Sequence, residues 1–124
     1  MNKEELIKRT QAFAITIIKL VEKLPDTKTS RVLSNQLLRS ATSVGANYRS
    51  ACKGKSSADF INKIIIVEEE ADESQYWLEL IEQSGLMSPE SIKVVKQEAK
   101  ELTAIFTAIG KTAKENHKLN KIRN

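Results

Sequence analysis

Apolar residues recur along this chain at alternating intervals of three and four. Phe60, Ile64, Val67, Ala71, Ser74, Leu78 and Ile81 keep that alternation without a break. Ile92, Val95, Ala99, Leu102, Phe106, Ile109 and Ala113 form a second such row, and Leu6, Phe13, Ile17, Leu20 and Leu24 a sparser one near the N-terminus. This spacing aligns side chains along one face of an α-helix, whereas a half-buried strand would alternate every second residue. Three helices with one buried seam each follow from the pattern.

The segment between the first two seams is weaker. Leu33, Leu37, Ser40, Val44, Asn47 and Ala51 hold the spacing, but the second half of the row is small or polar. Gly45 alone costs a helix about 1 kcal/mol relative to alanine. A loop is therefore an alternative over Ser40–Asn47. The helix is preferred because the spacing runs through it and Tyr48 and Arg49 follow in phase. Small residues there would let a neighbouring backbone approach closely. The seam makes Ser40 and Asn47 buried polar groups that hydrogen-bond locally and fix helix register.

Three interruptions separate the four segments: Leu24-Pro25-Asp26-Thr27, Gly54-Lys55-Ser56-Ser57, and Ser84 through Pro89. Gly85 suits the left-handed position after a helix, Ser88 an N-cap and Pro89 a first helical turn. Ser56 or Ser57 can cap the third helix, whose early Asp59 suits the positive end of the dipole. Links this short force neighbouring helices to run antiparallel. The pattern predicts an all-α, antiparallel up-down-up-down four-helix bundle over residues 1–110. Residues 111–124 are expected to hold the end of helix 4 and a basic C-terminal tail.

Size changes this picture little, since 124 residues suit one core. The run Ile64-Ile65-Ile66-Val67 falls far short of the ~20 apolar residues of a membrane span. Lys3, Glu4 and Glu5 do not resemble a signal peptide. Cys52 is the single cysteine, so no intramolecular disulfide can form. A cytoplasmic protein without membrane attachment is the expectation.

Charge adds more. Residues 27–58 carry Lys28, Arg31, Arg39, Arg49, Lys53 and Lys55 and no acid, while residues 59–84 carry eight acids against Lys63. Mutual attraction across the helix 2–helix 3 hairpin accounts for both runs, though exposed pairs contribute only ~0–1 kcal/mol each. Lys111, Lys114, Lys118, Lys121 and Arg123 face no such acidic block in sequence. A mobile basic tail can hold phosphates in a salt-dependent way, and it can equally be a solubilising end. Any nucleic-acid site is expected in those five residues first, assisted by Arg31, Lys53 and Lys55. Stacking on aromatic side chains should matter little, because the six aromatics fall mainly at seam or interface positions.

Candidate chemistry is sparse. Glu68, Glu69, Glu70, Asp72 and Glu73 invite a carboxylate-bridged metal centre, but such centres need Glu-x-x-His pairs, and His117 is the single histidine. Cys52 and His117 could make a thiol and base, yet nothing in the sequence orients them, and Cys52 reads better as a small packed side chain. No glycine-rich phosphate loop, Ser-His-Asp arrangement or zinc spacing occurs. The expectation is no enzyme, no metal and no cofactor.

Helix 3 also places Ile65, Ile66, Tyr76, Trp77 and Leu80 off its seam. A helix apolar on several sides is normally buried on several sides, so a homo-oligomer is expected.

Two motifs carry a family resemblance. Arg39-Ser40-Ala41-Thr42-Ser43-Val44-Gly45-Ala46-Asn47-Tyr48-Arg49 resembles the signature of a bacterial four-helix-bundle family whose founding members are encoded within intervening sequences of 23S ribosomal RNA genes. Glu70 through Leu80, with Gly85 beyond it, is similar to the second half of that signature. The family run after Asn47 is closer to Ile-Ala-Glu-Gly, so Tyr48-Arg49-Ser50-Ala51 departs from it. The resemblance implies a homopentamer and kinship with accessory proteins of diversity-generating retroelements, which bind nucleic acid and a reverse transcriptase. It supplies no catalytic residues, and Arg39, Ser40, Asn47, Tyr76 and Trp77 are read as structural or assembly residues. The leading function is a non-enzymatic oligomer that associates with nucleic acid, RNA ahead of DNA. The alternative is a protein-interaction scaffold without nucleic-acid binding.

Overall fold

The computed structural model describes residues 1–123 and consists of four helices: α1 (Lys3–Val21), α2 (Lys28–Cys52), α3 (Ser57–Gln83) and α4 (Pro89–Arg123). Each start has a side-chain cap for an otherwise unpaired backbone N–H. Asn2 Oδ1 accepts from Glu5 N at 2.8 Å, Thr27 Oγ1 from Ser30 N at 3.2 Å, Ser56 Oγ from Asp59 N at 3.1 Å and Ser88 Oγ from Ser91 N at 3.3 Å. α3 ends as the sequence predicts. Gly85 takes φ +80°, Leu86 N–H reaches back to Ile81 O at 3.1 Å, and Gly85 N–H bonds Glu82 O at 3.0 Å. That pair of bonds satisfies carbonyls the helix leaves open.

The helices alternate in direction, and each packs mainly on its neighbours in the chain. α3 shares its longest boundaries with α2 and α4, and α1 meets α4 least. Phe13, Ile17, Leu37, Ile64, Leu78, Ile81, Ile92, Leu102 and Phe106 are fully buried between them. Each such side chain stabilises the fold by about 1.5–3 kcal/mol relative to exposure. Tyr48 meets Phe106 edge to face, with ring centroids 5.3 Å apart. Among the described residues no helix is long and apolar enough to cross a membrane.

The seams differ from expectation near their ends. In α2 the buried row is Ser30, Leu37, Ser40, Ala41, Val44, Tyr48 and Ala51, so Leu33 and Asn47 are only half-buried. Asn47 Nδ2 donates to Ser43 O of its own helix at 2.8 Å, a local bond rather than a core contact. Tyr48 takes the buried place because a 3.6-residue helix drifts away from a strict three-four row. The same drift buries Gly110 in place of Ile109, whereas at the start of α3 Ile61 is buried and Phe60 half-buried although a 3.6-residue period favours Phe60. Thr10, absent from the expected row, is buried in α1, while Leu24 lies beyond that helix and is half-buried.

Ser40 is buried as expected, with its Oγ 2.9 Å from Ser74 Oγ. Both hydroxyls also bond carbonyls of their own helices, to Leu37 O and Glu70 O, so the polar pair across α2 and α3 is satisfied. The Ser40–Asn47 stretch is helical throughout, and Gly45 has a reason to be there. A Cβ at Gly45 would lie 3.2 Å from Thr10 Oγ1, so its absence admits α1 closely against α2. Gly45→Ala should be near neutral, since about 1 kcal/mol of helix propensity offsets a small displacement of Thr10. Gly45→Val should destabilise by about 1–3 kcal/mol through overpacking, and urea denaturation of the two variants measures the contrast.

Candidate nucleic-acid interface

α1 and α4 are clasped by Arg9, whose Nε and Nη2 donate to Glu98 Oε2 at 2.8 Å and Oε1 at 2.6 Å, with Nη2 also donating to Glu101 at 3.0 Å. Hydrogen bonding to Glu98 is the main force that raises the guanidinium pKa. Glu101 is held below the ordinary carboxylate range by Gln97 first and Arg9 second. This clasp ties α4 to α1 across their narrow boundary, while the longer boundary with α3 sets where the basic end of α4 falls.

Antiparallel order brings the C-terminal ends of α2 and α4 beside the N-terminal ends of α1 and α3. Gly110 lies against Ile64, and Ser57 Oγ is 2.6 Å from His117 Nδ1. The start of α3 is thereby level with His117, and six further residues of α4 run about 9 Å beyond it. The basic segment expected as a tail is continuous helix through Arg123, and Asn124 lies outside the described residues.

This arrangement gathers Lys53 and Lys55, in the α2–α3 connection, at the same end as Lys111, Lys114, Lys118, Lys121 and Arg123. All seven are exposed, and none is in an ion pair among the described residues. At about 100° per residue, Lys111, Lys114, Lys118 and Lys121 share a sector about 80° wide. Arg31 is not brought to them. It stands at the opposite end of α2, where its Nη1 donates to Asp26 at 2.7 Å.

The same sector of α4 contains Lys93, Lys96 and Lys100, which charge blocks along the sequence did not single out. A helical projection of residues 89–123 would have shown them as one stripe. Their surroundings differ, because Glu79, Glu82 and Glu90 line the same groove and Lys96 Nζ bonds Glu82. The uncompensated positive charge therefore lies toward the Lys111–Arg123 end.

Of the residues read as structural, Arg39, Tyr76 and Trp77 form another cluster on the α2–α3 face. Arg39 donates to Glu70 at 2.9 Å and to Glu73, and Trp77 Nε1 donates to Glu73 Oε1 at 3.1 Å. Tyr76 packs edge to face on Trp77 with centroids 5.0 Å apart and is 53% exposed. Of the basic residues 28–55, only Arg39 pairs with an acid of α3 among the described residues, so the expected hairpin attraction is carried at one point. Cys52 and His117 have separate partners. His117 bonds Ser57, while Cys52 adjoins Tyr48, whose hydroxyl is pushed up to about 12 by burial first and by the thiol second.

Four antiparallel helices with exposed cations gathered at one end define the class, a small helical bundle with one basic end. A family model described as 23S rRNA-intervening sequence protein matches residues 2–108, and the chain belongs to that family. A similar solved structure is a protein with unknown function from the S23 ribosomal protein family of Bacteroides thetaiotaomicron VPI-5482. It is 35% identical, covers 90% of this chain and 99% of its own, and superposes with a TM-score of 0.82. No curated protein matches the chain. The family match ends at residue 108, so Lys111–Arg123 lies outside it.

Hydrogen bonding from Arg39 lowers the pKa of Glu73 from its ordinary 4.5. A carboxylate depressed in the folded state stabilises above its unfolded pKa, and that contribution is lost as pH falls through the folded value. Arg39→Met should thus cost below about 1 kcal/mol at neutral pH, given the exposure of the pair. Its melting temperature should fall less steeply than that of the parent protein below pH 4.5, which thermal scans across pH check.

Proposed function

We propose that this chain is a non-enzymatic, homo-oligomeric cytoplasmic protein that associates with RNA through the basic end of its bundle. The observation that carries the reading is the convergence of Lys53, Lys55, Lys111, Lys114, Lys118, Lys121 and Arg123 at one end without ion-pair partners among the described residues. Cations held on a rigid helix and not tied up in ion pairs among the described residues attract a polyphosphate strand and release its counterions. No acid separates Lys118 from Arg123, and the projecting turns leave room for a strand to approach from several sides.

Oligomer formation is supported by apolar side chains left at the surface. Ile15, Ile18, Val32, Ile66, Tyr76 and Val94 are exposed in the single chain. A pentamer accords with the family resemblance and would repeat the basic end five times, so that weak contacts add through avidity. In a retroelement setting, a reverse transcriptase is the expected protein partner. The exposed apolar residues also suit the scaffold reading, in which the cations serve solubility.

Two measurements test these proposals. Light scattering should give a mass about five times 13.9 kDa, and a stable monomer would overturn the oligomer. RNA affinity should fall steeply with salt. Ending the chain after His117 removes three cations and should flatten the log–log slope by about two to three per engaged protomer. Arg31→Glu, at the far end, should leave affinity nearly unchanged. If the shortened chain binds RNA as tightly as the full one, the α4 end is not the site, and no binding by either favours the scaffold.

A further inference from the structure

Between α3 and α4, at the basic end, lies a cleft of about 410 Å³ lined by Ile64, Ile65, Glu68, Thr107, Gly110, Lys111, Lys114, Glu115 and Lys118. Its volume falls within the range of small-ligand sites. The floor is apolar because Gly110 has no side chain and Ile64 is buried beneath it, with Ile65 half-buried alongside. Three lysines stand along the α4 wall. The half-buried Glu68 and the exposed Glu115 bring carboxylates into the same cleft.

A surface that served only to attract phosphate would gain nothing from those carboxylates. They suit a ligand that carries hydrogen-bond donors as well as negative charge. An unpaired nucleotide has that composition: a flat apolar base, an exocyclic amino group, and phosphates on either side. Unstacked bases in loops and bulges are also what proteins read in RNA, since the A-form major groove is too narrow for side chains.

We infer that this cleft receives a single unpaired nucleotide of an RNA strand. The base rests on Ile65 and the Gly110 backbone, its amino group donates to Glu68, and Lys111, Lys114 and Lys118 hold the flanking phosphates. This inference rests on the phosphate-binding reading of the basic end and adds to it a preference for bulged over fully paired RNA. Apolar contact and one charge-assisted hydrogen bond supply the preference, so it is less sensitive to salt than the overall affinity.

The test uses the full-length protein and two RNA hairpins, one with a single bulged 2-aminopurine and one identical but lacking that nucleotide. The bulged hairpin should bind about tenfold tighter, and its 2-aminopurine fluorescence should change on binding. Ile65→Trp fills the cleft and should bring the two affinities to within about twofold of each other. Glu68→Lys should also erase the preference while tightening binding of the paired hairpin, a combination that a purely electrostatic role for Glu68 would not give. Circular dichroism confirms that each variant is folded, and if Ile65→Trp is not, the change at the half-buried Glu68 decides alone. Equal affinity of the parent protein for both hairpins, or a preference that survives Glu68→Lys, overturns the inference. Failure to bind either RNA removes the phosphate-binding reading itself and the cleft assignment with it.

Discussion

The buried row of α3 holds this molecule together, because that helix is the shared wall of two helix pairs. Ile64, Val67, Ala71, Leu78 and Ile81 are each fully enclosed, and they face α2 on one side and α4 on the other. A helix in that position must be apolar over a wide arc, which its sequence provides. Its acids are consequently pushed to the margins, where Glu70 and Glu73 meet Arg39 on the α2 side and Glu82 meets Lys96 on the α4 side. Packing thus dictates where charge can sit, and the charge pattern reports the packing.

Small residues set how closely the walls approach. Gly45 lets α1 lie against α2 at Thr10, and Gly110 lets α4 lie against α3 at Ile64. Ala41, Ala71 and Ala99 are likewise fully buried. These positions offer little hydrophobic area, yet side chains much larger than alanine would push apart the helices that meet there. The Ser40–Ser74 pair belongs to the same logic, since the hydroxyl-to-hydroxyl bond at the α2–α3 contact forms in one register and a slip would leave each hydroxyl only the carbonyl of its own helix.

Length completes the picture. α4 has 35 residues and α3 has 27, so the last turns of α4 extend past the bundle rather than into it. Among the described residues nothing apolar covers them, and Leu119 and Ile122 stay exposed while lysines occupy the adjoining sector. The segment beyond residue 108 therefore distinguishes this chain from the core that its family model matches.

Much of this was legible in the sequence because it depends on local periodicity. The three-four spacing through the middle of α3 and α4, the Gly85–Pro89 stop and start, the Ser88 cap and a cap at Ser56 or Ser57, of which Ser56 serves, need only short-range physics, and these stand in the structure. Alternating direction alone also places Lys53 and Lys55 at the end where α4 finishes and Arg31 at the other. What the sequence could not settle was which neighbour each flank residue meets. Helical drift turns Tyr48 and Gly110 inward, but only packing sets Phe106 edge to face on Tyr48 and Ile64 against Gly110. The cleft of Ile65, Glu68 and Lys114 is assembled from residues more than forty positions apart. Periodicity fixes the face a residue occupies, whereas helix register and the shape of the facing surface are non-local and are decided only when the helices pack.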